Sequence, residues 1–190
     1  MVPYGLESMS ESRVLERRSV LKGRVFDIGV ERVALPNGVE AQLEILHHPG
    51  AAAIVPITAA GEIVLVRQFR HAAGGYLWEI PAGTLEKDEA PERCAARELE
   101  EEAGVRANEL IPLGTVVPVP GYSTEQIWLF AARDLVPSQQ KLDRDELVTE
   151  VRAVSADEVL RWLVDGTIND AKTAVAIFRA QARGLLGAAS

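Results

Sequence analysis

The sequence predicts a domain of mixed α/β (α+β) class, with a mixed sheet between helices and a small antiparallel β-sheet ahead of it. Three observations carry this. Ala51 to Thr58 is a continuous apolar run bounded by Gly50 and Ala59-Ala60-Gly61, the pattern of a strand buried on both faces. Residues 12–47 alternate like strands around Pro36-Asn37-Gly38, and Asn-Gly readily takes the positive φ angles of a tight hairpin. Between and after the strand patterns lie helix start and stop signals, and elements in such mixed order build layered folds.

The elements follow in order. Residues 1–11 are polar and aperiodic and read as a flexible tail. Residues 12–47 form a β-meander: Val25 to Val33 is rich in β-branched residues, and Val39 to Leu46 returns after the hairpin. Its apolar content is thin for independence, so it is expected to pack on a second subunit. The main domain spans residues 48–186. After the buried strand, Ile63 to Phe69 returns, and Leu77 to Ile80 is a short strand. A helix follows to Ala103, with Pro91 suited to its first position and Gly104 to its stop, whereas Ala90 is a poor cap. Leu110–Val119, Glu125–Ala132 and Val148–Val154 read as strands, with a polar loop over 137–145. Ser155-Ala156-Asp157-Glu158 opens a helix to about Val164. Asn169 and Asp170 can cap a last helix to about Arg183, with Ala174, Ile177, Phe178 and Gln181 near one face.

Length and charge narrow the function. The 190 residues suit one domain with an accessory piece. A net charge of −8 argues against a general nucleic-acid or anionic-membrane binder. It does not exclude a phosphate-bearing small molecule, because bound cations reverse the local sign. The single cysteine, Cys94, precludes an internal disulfide and reads as a packed thiol. No apolar run reaches membrane-spanning length and no secretory signal is seen, so a cytoplasmic location is expected.

One stretch concentrates chemistry. Gly83 to Val105 reads GTLEKDEAPERCAARELEEEAGV, with four glutamates at 98, 100, 101 and 102. On a helix, Glu98, Glu101 and Glu102 share a face, and like charges there repel. A solvated acidic surface is one reading. A site for a hard divalent cation, Mg²⁺ or Mn²⁺, is the other. The flanking Arg97 and the preceding Pro81-Ala82-Gly83 turn favour the site.

The same stretch resembles the signature of the Nudix hydrolases: Gly, five residues, Glu, seven residues, then Arg-Glu-apolar-any-Glu-Glu-any-Gly-apolar. Gly83, Glu89, Arg97, Glu98, Glu101, Glu102 and Gly104 fill every fixed position. The resemblance implies a Nudix-type α/β/α sandwich and attack of water on a nucleoside diphosphate linked to a second group. It implies Glu98 and Glu102 as metal ligands, joined by the backbone carbonyl of Ala82, with Glu101 as a further ligand or as base. Arg97 would orient the carboxylates, and Glu89 would pair with it.

Substrate choice lies outside that signature. Arg70, Glu79 (in Glu79-Ile80-Pro81-Ala82-Gly83), Pro120 and Glu125 resemble the substrate-contacting positions of ADP-ribose pyrophosphatases. A guanidinium at Arg70 can grip a diphosphate in two places. Phe26 could stack on an adenine bound by the other subunit of a homodimer, or be core. A base or further ligand is expected from the acidic loop before the last strand: Glu146, with Glu150 and Asp145 as rivals. The implied reaction is hydrolysis of ADP-ribose to AMP and ribose 5-phosphate. The alternatives are another nucleoside diphosphate sugar such as GDP-mannose, or a non-catalytic ADP-ribose-binding regulator.

Overall fold

A computed structural model describes residues 12–142, 144 and 146–186. The expected tail, residues 1–11, lies outside the described residues, as does Asp145. Two compact units are distinguished: residues up to His48 with Val119–Glu125, and Pro49–Pro118 with residues from Gln126 onward.

The first unit is a three-stranded antiparallel sheet in the order β1-β2-β3, with β1 at Arg13–Lys22, β2 at Asp27–Ala34 and β3 at Glu40–His47. The hairpin stands where Asn37-Gly38 predicts it, with Gly38 at φ 81° and the Asn37 side chain accepting from the Val39 N–H. Phe26 falls just outside β2, contrary to the strand read over 25–33. It lies in a turn in which the Gly23 N–H donates to the Phe26 carbonyl, and the residue is 37% exposed. β1 is exposed almost throughout. Residues 119–125 join this unit through hydrogen bonds between Leu46 and both Tyr122 and Thr124.

The second unit is built on β4 (Ala51–Pro56), every residue of which is buried. It pairs in parallel with β9 (Ile127–Pro137) and antiparallel with the three-residue β7 (Ala82–Thr84), while β8 (Val105–Val116) completes a mixed sheet β7-β4-β9-β8. Period-2 alternation sends β4 side chains to two different cores. Ala51, Ala53 and Val55 pack with Ala176, Ile177 and Ala180 of α3 (Ala171–Ala182). Ala52 and Ile54 pack with Cys94, Ala95 and Leu99 of α1 (Pro91–Ala103). The sheet is thus the middle layer of an α/β/α sandwich. A second sheet, β10-β5-β6, is antiparallel, with β5 at Glu62–Arg70, β6 at Gly75–Glu79 and β10 at Val148–Ser155. α2 (Ala156–Asp165) leaves β10 directly, capped by Ser155. Among the described residues, no helix is long and apolar enough to cross a membrane.

Further element readings are corrected. β8 begins five residues ahead of the expected Leu110. Gly104 takes φ 65°, its N–H closes α1 on the Glu100 carbonyl, and the chain enters the sheet at once. On α3 the buried stripe is Thr173, Ala176, Ile177 and Ala180, while Phe178 is 71% exposed. A large apolar residue does not by itself identify the inward face.

One glycine is fixed by packing. Gly50 holds φ 102°, and a Cβ there would stand 2.6 Å from the Trp128 ring and 3.2 Å from the Gln126 carbonyl oxygen. Gly50→Ala is expected to cost roughly 2–4 kcal/mol from backbone strain and overpacking. Chemical denaturation checks this, and an unchanged midpoint would refute the packing described.

Candidate active site

Why α1 carries an acidic face into the protein is explained by what surrounds it. Leu99, Ala95 and Cys94 bury one stripe of α1 against β4, and the same rotation turns Glu98 and Glu102 inward beside β7. They are 5% and 1% exposed. Glu102 Oε2 accepts the Ala82 N–H at 2.8 Å. Gly83 lets the Glu98 carboxylate lie against the β7 backbone, because a Cβ there would fall 1.8 Å from Glu98 Oε1. Arg97 holds the arrangement from the side. Its guanidinium reaches Glu98 at 2.6 Å, Glu101 at 2.9 Å, both oxygens of Glu89 at 3.0 and 2.9 Å, and the Thr84 carbonyl at 3.2 Å. Nη2 also donates to Cys94 Sγ at 3.5 Å, so all of these bonds stay within the α1–β7 region. Glu100 points away and pairs with Arg106 and Ser138. Cys94 is buried, its thiol pushed up to about 12 by desolvation and by the Glu98 and Glu89 charges.

Glu146, from the segment before β10, joins Glu98 and Glu102 so that one carboxylate oxygen of each lies within 4.8 Å of the others. Glu150 instead bonds Arg152. These residues fit a hard divalent cation on two counts. All three donors are carboxylates, and Glu102 Oε1 is buried with no hydrogen-bond partner. A buried carboxylate oxygen left unpaired is costly, and a cation would satisfy it.

The residues expected to choose the substrate fall in both units. In the second, Arg70 at the end of β5 donates from Nε and Nη2 to Glu79 at 3.0 and 2.8 Å and keeps 38% of its side chain exposed. Glu79 is buried and held ionised, its carboxyl lowered by Arg70 and Lys172 against desolvation. Lys172, which the sequence reading missed, donates to Glu79 at 2.6 Å and to Asp170 at 3.0 Å. The visible signal was Asp170 as a helix cap; a lone lysine two residues later belongs to no motif. In the first unit, Pro120 is exposed in the 119–125 segment. Glu125 is half-buried, with Oε1 4.0 Å from His48 Nδ1 and its N–H donating to Ser123.

Electrostatics at the carboxylate cluster has a pH signature. Desolvation, reinforced by the neighbouring carboxylates and opposed by Arg97, pushes Glu98 up to about 7. Desolvation likewise pushes Glu102 up to about 8, against the Ala82 N–H bond. The folded chain therefore holds protons that the unfolded chain has already lost between the ordinary value of 4.5 and about 8. Without metal, stability falls as pH rises through that window. The lowered groups Glu79 and Glu89 add stability as pH rises through 4.5, and that gain is complete near the window's lower end. In chelator, the melting temperature is expected to fall from about pH 5.5 to about 8.5, and added divalent cation to restore it increasingly with pH. A flat profile in scanning calorimetry would contradict the buried carboxylate pair.

Comparison with known proteins agrees with this geometry. The NUDIX domain family model matches residues 46–175. The chain is 41% identical to an ADP-ribose pyrophosphatase of Bacillus subtilis over 169 residues, covering 88% of this chain and 91% of that one. It is 37% identical to a methanol dehydrogenase activator of Bacillus methanolicus with the same coverage of each. It is 33% identical to a GDP-mannose pyrophosphatase of Yersinia pestis over 70% of each chain. A crystal structure of an ADP compounds hydrolase, 24% identical, superimposes with a TM-score of 0.80 over 94% of this chain and 97% of that one, a likeness of fold. With the signature in register and its carboxylates gathered at β7, the chain belongs to the Nudix hydrolase family.

Proposed function

We propose that the protein hydrolyses the diphosphate bond of ADP-ribose, giving AMP and ribose 5-phosphate. The observation that carries the reading is the trio Glu98, Glu102 and Glu146, with an unpartnered buried oxygen on Glu102. The relatives named as ADP-ribose pyrophosphatases support the choice of substrate. Glu98 and Glu102 would hold Mg²⁺ or Mn²⁺ with the Ala82 carbonyl, and whichever of Glu101 and Glu146 does not act as base would be a further ligand. Such an ion, when bound, neutralises the diphosphate and lowers the pKa of water.

The chain's own residues do the rest. Arg97 fixes the Glu98 and Glu101 carboxylates, and Gly83 lets Glu98 approach the backbone. Arg70, anchored on Glu79, presents its remaining N–H donors to a diphosphate. Glu101 or Glu146 takes the proton of the attacking water as a P–O bond forms and the anhydride bond breaks; the freed phosphate oxygen leaves on the other product. Binding roles for Phe26, Pro120 and Glu125 rest on the resemblance to ADP-ribose pyrophosphatases. The 12–47 sheet, with Val14, Val20 and Leu21 about half exposed, is read as the dimer-exchanged part of a cytoplasmic homodimer. Light scattering at micromolar concentration should give twice the chain mass; a monomer would reject that assembly.

A second substrate class, GDP-mannose, is kept alive by the Yersinia relative. Incubation with Mg²⁺ and a panel of nucleoside diphosphate sugars decides between them. AMP from ADP-ribose is expected at the highest kcat/KM; faster turnover of GDP-mannose would replace the substrate but not the family chemistry. Glu98→Gln is expected to lower kcat by more than about a hundredfold, beyond the usual effect of losing a metal's outer partner. Gly83→Ala should lower activity by about ten- to a hundredfold by displacing that carboxylate, with the fold retained by circular dichroism. Full activity in Glu98→Gln would refute its role.

A further inference from the structure

We infer that Lys172, at the start of α3, is a positioning residue: it acts through Glu79 to set Arg70 for an anionic ligand. The inference deepens the diphosphate-sugar reading and rests on it. Glu79 is 1% exposed and shared between two cations. Arg70 takes it through Nε and Nη2, and Lys172 Nζ stands 2.6 Å from its Oε2. Lys172 is itself almost enclosed, with 12% of its side chain exposed, and Asp170 at 3.0 Å holds its other side. Arg70 is the one member of the chain with a substantial exposed surface, at 38%.

Charge explains why a second cation is needed. Arg70, Glu79, Lys172 and Asp170 sum to zero. Without Lys172 the group carries a net negative charge, Glu79 draws on Arg70 alone, and an approaching phosphate meets repulsion in a partly buried site where screening is weak. The same helix start also fixes the backbone next to Glu79. Thr173 Oγ1 accepts the Ile80 N–H at 3.0 Å, and the Thr173 hydroxyl and N–H both donate to Asp170. The first turn of α3 therefore holds both the side chain of Glu79 and the strand end that leads to Ala82 and Gly83. A lysine placed here can change how Arg70 meets a ligand without touching the ligand.

The test is a kinetic cycle on the intact protein, using the diphosphate sugar that it turns over best. Lys172→Met is expected to raise KM at least about tenfold with kcat little changed, since Arg70 would hold ground and transition states alike. Lys172→Gln, which keeps a donor for Glu79 without the charge, should show the same direction and covers a folding failure of the first variant. Lys172→Arg should recover most of the loss. Against an Arg70→Met background, Lys172→Met should add less than about a twofold change, because the two act as one unit. An unchanged KM in both neutral variants overturns the inference, as does a Lys172→Met effect that persists undiminished without Arg70. If the wild type turns over no nucleoside diphosphate sugar, the underlying reading fails and the inference fails with it, an outcome distinct from either result above.

Discussion

The structure depends on holding like charges together inside a protein. Glu98, Glu102 and Glu146 converge within 4.8 Å, and the first two are almost completely buried. Such an arrangement opposes folding whenever the carboxylates are ionised. It persists because three things oppose the repulsion. Arg97 lies against Glu98, the Ala82 N–H satisfies one oxygen of Glu102, and protonation is favoured in the absence of a cation. A divalent ion held by these carboxylates would take the place of the protons, and its binding would then be linked to the protonation of the site.

The rest of the second unit supplies what that arrangement requires. β4 is buried on both faces, which fixes α1 on one side and α3 on the other. β7 is only three residues long, yet it places Ala82 and Gly83 under the inward face of α1. A longer side chain at Gly83 would occupy the space of the Glu98 carboxylate. α3 reaches the same region from the opposite layer, where its capped first turn engages Glu79 and Ile80. Two helices on opposite faces of one sheet therefore meet the same short stretch, Glu79 to Gly83. One brings carboxylates and the other brings a cation. The positive and negative parts of the site are adjacent along the chain at that point.

Much of this was legible in the linear sequence, and for identifiable reasons. The buried strand at Ala51–Pro56, the Asn37-Gly38 hairpin, the Gly104 stop and the Ser155 and Asp170 caps are local: each depends on a few adjacent residues and on backbone sterics. The register of Gly83, Glu89, Arg97, Glu98 and Glu102 is also short-range, because one continuous segment of short strand, turn and helix carries it. From the sequence, then, came the class of fold, the acidic inward face of α1, and the expectation that Arg97 serves the carboxylates.

The tertiary structure decided what lay far apart in the chain. Between Glu146 and Glu150, charge type and loop position could not choose. The β10–β5 pairing leaves Glu150 bonded to Arg152, while Glu146 lies at the cluster. Lys172 and Glu79 are separated by 93 residues, and no periodicity links them. The outward turn of Phe178 and the early entry of β8 were likewise settled by which surface each element found to cover. Local stereochemistry writes helices, turns and a compact motif into adjacent residues. Packing alone determines which distant charges share a buried space, because that depends on how whole layers stack.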